Sequence, residues 1–128
     1  MIKVVINRSK WSRGAVVGNA LLVGEPCIAT EQGKTVAEEG KMCCLGFVCL
    51  TLGFSPDQIR GRSMPSDLGR GIEGLTEVAQ DGGDHYDDTN FSVEAAKIND
   101  DADISDKSRE EILVGEAATA GFAFVFVD

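Results

Sequence analysis

Lys41-Met42-Cys43-Cys44-Leu45-Gly46-Phe47-Val48-Cys49-Leu50-Thr51-Leu52-Gly53 is the most apolar stretch of the chain, and its reading decides the fold. It is longer than an average strand, and its apolar side chains run nearly all the way round a helical wheel. A helix that is apolar on every side must be buried, so Lys41 to Leu52 is read as a buried central helix, ended by Gly53 as a C-terminal cap. Gly46 inside it costs about 1 kcal/mol relative to alanine, so a neighbour is expected to approach closely there.

Strands are expected at both ends. Met1-Ile2-Lys3-Val4-Val5-Ile6-Asn7 is rich in β-branched residues, and Phe122-Ala123-Phe124-Val125-Phe126-Val127 alternates aromatic and small or β-branched ones. Pairing the two would hold both ends of the chain. Between the first strand and the helix, Ala15–Val23 and Pro26–Thr30 read as an early hairpin turning at Gly24 and Glu25, with a further turn at Glu31–Lys34.

Past the helix, Ser55-Pro56-Asp57-Gln58 has the order of a capping box and predicts a short helix from Pro56 to Arg60, stopped by Gly61. Met64–Leu68 begins a turn or short helix. Ile72, Leu75 and Val78 recur at helical spacing, with a loop from Asp81 to Asn90. Ser92–Ile98 is a candidate helix, and Ser105 caps another that runs to about Ala118. The order predicts a single α+β domain over residues 1–128. Its small sheet is formed by the terminal strands and the early hairpin, covered by a buried central helix and several short helices.

Four spaced islands resemble a known set of proteins. Trp11-Ser-Arg-Gly14, Lys41-Met-Cys-Cys-Leu-Gly46, Met64-Pro65-Ser-Asp-Leu68 and Ile98-Asn-Asp100 are similar to short uncharacterised proteins of tailed bacteriophages and prophages. Those share a Trp-x-x-Gly, a Cys-Cys-Leu-Gly box, a Pro-containing stretch and a late Asn-Asp. This chain departs by a longer insert, roughly Gly24 to Glu39. The resemblance implies a phage origin, a host cytosol and an accessory role. It implies no reaction and assigns no residue.

The charge is polarised. The chain has 128 residues, with 12 basic and 21 acidic side chains and a net charge of −9. Residues 1–72 carry +3, and residues 73–128 carry −12. This balance argues against a duplex DNA binder that works by neutralising phosphates. The acidic half is read as a solubilising face or as an imitation of nucleic acid. No apolar run reaches the roughly 20 residues of a membrane span. Met1 to Arg13 places apolar residues before charged ones, the reverse of a signal peptide, so a cytoplasmic location is expected.

Three sites can be composed from the residues. Arg8, Lys10 and Arg13 flank the only tryptophan, Trp11, and Arg60, Arg62 and Arg70 form a second basic group. Arginine forks and an indole face suit a small anionic nucleotide, and the competing reading is that Trp11 is a core anchor. Cys43, if it opens the central helix, would gain thiolate character from the dipole, with His85, the only histidine, as base. Asn99, Asp101, Asp103, Ser105 and Glu110 fall at calcium-loop positions, but Ile104 stands where glycine is required, so an acidic capping turn explains them better. Cys27, Cys43, Cys44 and Cys49 lack zinc spacing, and neither a metal nor another cofactor is expected. The leading expectation is non-catalytic binding to a host protein. The alternatives are a nucleotide-sequestering module and a cysteine-dependent enzyme.

Overall fold

In the computed structural model, which describes residues 1–25, 35–83 and 85–128, the chain is an α+β fold whose terminal strands pair. Strand β1 (Ile2–Asn7) runs parallel to β6 (Phe122–Val127), in register from Ile2↔Phe122 to Asn7↔Val127. The alternation decides which face is buried. Val4, Ile6, Phe122 and Phe124 point to the core, while Val5 and Val125 face outward. The expected closure of the sheet by the two ends is therefore present.

Helix α1 (Cys44–Thr51) is the central helix, with every residue from Cys44 to Cys49 buried. It begins three residues later than the apolar run, because Met42 is extended and bridges Trp11. Gly46 is where the backbone of Leu21 crosses the helix. A Cβ at that position would lie 1.8 Å from the Leu21 carbonyl oxygen, so only glycine admits the crossing. Helix α2 (Pro56–Ile59) carries the full capping box between Ser55 and Gln58. Helix α3 (Asn90–Asp100) is capped by Thr89, and α4 (Asp106–Thr119) by Ser105. The acid-rich turn between them thus serves as a helix cap, with the Asp101 carboxylate accepting from the Asp103 N–H. Helices α1, α3 and α4 cover the inner face of β1 and β6, and the outer face is uncovered among the described residues.

Three stretches differ from expectation. Only Val16–Val17 (β2) of the Ala15–Val23 segment joins a ladder, and it pairs in parallel with Thr35–Val36 (β3). The expected hairpin partner Pro26–Thr30 and the turn at 31–34 lie outside the described residues. The Ile72–Val78 stripe is not helical. Gly74 takes a positive φ of 86°, and the chain then enters strand β4 (Thr76–Val78), which pairs antiparallel with β5 (Tyr86–Asp88) inside the expected loop. Thr76 fixes the change: its hydroxyl accepts from the Ile72 N–H and donates to the Arg70 carbonyl. No helix among the described residues is long and apolar enough to cross a membrane.

Candidate functional site

Three of the four sequence islands converge on one buried side chain that composition alone does not flag. Asn99 sits on α3 in a stripe with Phe91 and Ala95, each four residues apart, and is fully buried. Its Oδ1 accepts from the Trp11 indole N–H at 2.8 Å and from the Cys44 backbone N–H at 3.0 Å. Its Nδ2 donates to the Ser12 carbonyl and to the Asp100 carboxylate, each at 2.9 Å. The Asn99 carbonyl accepts from the Gly14 N–H at 2.8 Å. One residue thus ties the Trp11–Gly14 loop to the start of the central helix. Cys43 contributes no side-chain cap to that helix, and Asn99 supplies an acceptor for one of its free N–H groups. A sixth bond extends the network outward, where the Asn19 amide donates to Asp100 at 2.8 Å. The signal was available: an amide in line with Phe91 and Ala95 must face inward and must be satisfied there.

Trp11 is therefore a core anchor. It is 1% exposed, lies 4.9 Å from the Phe126 ring, and is covered by the Arg13 guanidinium at 4.6 Å. No indole face is open for a base to stack on, which corrects the expectation of a stacking platform. The flanking arginines are occupied as well. Arg8 grips Glu110 with two bonds, 2.9 and 2.7 Å, and Asp128 with a third. The hydrogen bond to Glu110, and then that to Asp128, raises the Arg8 pKa above its ordinary value. Arg13 Nε lies 3.1 Å from Asp106. Lys10 is exposed and makes no ion pair among the described residues.

Arg60 is paired with Asp57, and its backbone bridges Leu22. Arg62 is exposed and accepts the Leu21 N–H through its carbonyl. No hydrogen bond or ion pair among the described residues joins Arg60 or Arg62 to the Trp11 loop. The two basic groups that the sequence suggested are thus tied to different elements.

The cysteine reading fares similarly. Cys43 lies at the start of α1 and lines a crevice of about 40 Å³ with Asn19, Ser63, Met64 and Asp100. Burial pushes its thiol up to about 11 and outweighs the lowering by the Gly46 and Leu45 backbone N–H groups. Desolvation therefore defeats the dipole that was expected to favour thiolate. His85 is exposed just before β5, with its Nε2 3.3 Å from Asp81 Oδ2, and no hydrogen bond among the described residues joins it to Cys43. Among the described residues no three His, Cys, Asp or Glu side chains are placed to hold a metal, and Cys27 lies outside them.

The acidic half is distributed differently. Glu73, Glu77, Asp87, Asp103 and Glu111 are exposed and make no ion pair among the described residues. By contrast Arg109, in the same half, is 3% exposed and is consumed internally by Asp106 and by the carbonyls of Ile98, Asp101 and Ile104. The fold thus pairs Arg8, Arg13, Arg60 and Arg109, and leaves these five carboxylates facing solvent, as it does Lys3, Lys10, Arg62, Arg70 and Lys107. No family model, no curated protein and no solved structure matches the chain.

Proposed function

We propose that this chain is a phage-encoded accessory protein of the counter-defence kind, which acts by non-catalytic binding to a host factor with a basic surface. The phage origin rests on the four sequence islands. The binding mode rests chiefly on one observation: five carboxylates, Glu73, Glu77, Asp87, Asp103 and Glu111, stay exposed and unpaired among the described residues while four of the six arginines, Arg8, Arg13, Arg60 and Arg109, are drawn into ion pairs. A surface of one sign raises the rate of encounter with an oppositely charged partner and does so less at high salt. The Trp11 and Cys43 environments add support, since neither offers an open stacking face or a thiolate.

The test is capture from bacterial lysate at low and high salt. A parallel capture uses a variant in which the five carboxylates are changed to amides. A defined host protein should be retained by the parent at low salt, and lost both at high salt and by the variant. An empty capture at low salt, or equal retention by the variant, overturns the proposal.

A further inference from the structure

Among the described residues the terminal sheet has two strands, which run parallel, and sheets of that kind are ordinarily covered on both faces. No described strand pairs with the far edge of β6. The Ile2 N–H donates to the Gly121 carbonyl at 2.9 Å, and the register continues from there. In a parallel ladder alternate residues of one strand bond to its neighbour and the intervening ones point away. Ala123, Val125 and Val127 therefore turn their main-chain groups toward β1. Phe124 and Phe126 turn theirs to the opposite edge, where nothing among the described residues bonds to them. The strand lacks two of the usual protections of an edge: Phe122 to Val127 contains no charge and no proline.

A second feature lies beside that edge. Phe124 and Phe126 floor a groove of about 420 Å³, whose walls are Arg8, Glu110, Glu111 and Val114. Val114 is 43% exposed, although it faces apolar rings. The charges around the groove are unequal. Arg8 is already held by Glu110 and Asp128, and Glu111 has no basic partner among the described residues.

We infer that the β6 edge is a strand-addition site for an extended partner segment that alternates apolar and lysine or arginine residues. Main-chain bonds to Phe124 and Phe126 would supply the pairing, and alternate side chains the choice of partner. On the groove side, a lysine stem would lie over Phe124, Phe126 and Val114, with its ammonium at Glu110 and Glu111. On the other side, apolar residues would continue the surface of Val125 and Val127. A second copy of this chain does not fit, because Phe122–Val127 has no cation to offer and pairing two such edges would bring together two acidic rims. The inference rests on the reading of the chain as a binding protein and names the surface used.

The test is amide hydrogen exchange, followed by NMR on the full chain, with blocked ten-residue synthetic peptides as probes. One peptide alternates valine and lysine, a second alternates valine and glutamate, and a third is the lysine peptide with its ladder-facing amides methylated. The lysine peptide should slow exchange at Phe124 and Phe126 by about tenfold or more, with little change at Val125, already bonded within the sheet. The other two peptides should do nothing. Glu111→Lys, on an exposed side chain, should weaken the lysine peptide about tenfold at low salt. Unchanged exchange at Phe124 and Phe126 overturns the inference, as does equal protection by the glutamate peptide. Slow exchange there without peptide, rising with protein concentration, would instead assign the edge to a second copy. The peptides need no host factor, so this failure is separable from an empty lysate capture.

Discussion

Replacing Asn99 with alanine removes the acceptor of two buried donors, the Trp11 indole N–H and the Cys44 backbone N–H. Each donor left unsatisfied in the core costs about 1–3 kcal/mol. The Ser12 carbonyl also loses its donor, and the missing carboxamide leaves space in a close-packed region. The sum is about 3–6 kcal/mol, a large share of the roughly 5–15 kcal/mol by which domains are stable. The assay is equilibrium urea unfolding followed by the fluorescence of the single tryptophan, which is itself the reporter of the broken contact. With a slope near 2 kcal/mol per molar, the midpoint should fall by about 1.5–3 M. Trp11→Phe, followed by circular dichroism, removes one donor and leaves the Asn99–Cys44 bond, and should cost only about 1–2 kcal/mol. An Asn99→Ala loss below about 1 kcal/mol, or one no larger than that of Trp11→Phe, would refute the view that Asn99 joins the islands.

Three other outcomes are expected. Gly46→Ala sets a Cβ against the Leu21 carbonyl, so it should lower stability by about 3 kcal/mol or more, read as a fall in Tm, and a neutral result would mean that the Leu21 strand does not cross α1 there. Stability should decline as pH rises past 9, because the unfolded chain releases thiol protons that Cys43, pushed up to about 11 by burial, still holds when folded; the decline should be shallower in Cys43→Ala, as measured by urea midpoints from pH 8 to 11. Arg109→Lys should destabilise by about 2–4 kcal/mol, since one ammonium cannot span Asp106 and three carbonyls, and a calorimetric Tm within a degree of the parent would contradict it.

Wherever one local rule sufficed, the sequence was legible. The Ser55–Gln58 capping box, the Ser105 cap and the strand at Phe122–Val127 each depend on neighbours within a few residues, and each is present. The Ile72–Val78 stripe misled because three apolar residues at helical spacing cannot outweigh a glycine with positive φ and a threonine bonded to its own loop. At the candidate site the ambiguity was different. Trp11 among cations reads more readily as an anchor than as a ligand platform, and only a partner 88 residues away decides between them. Cys43 stands at a helix start, as the extended N-cap of α1 and not in its first turn, and its proton affinity follows from desolvation, which no spacing reveals.

The amino-acid order by itself determined that both ends are strands, that the Cys-Cys-Leu-Gly segment is a buried helix, and that charge is divided between the two halves. These are properties of local backbone preference and of side-chain chemistry, and they are fixed before the chain folds. Tertiary structure decided which cations are spent inside the molecule, that Asn99 fastens the Trp11 loop to the central helix, and that Phe124 and Phe126 lie at an edge unpaired among the described residues. Those outcomes depend on residues far apart in the chain competing for the same partners, a competition settled only by the packed geometry.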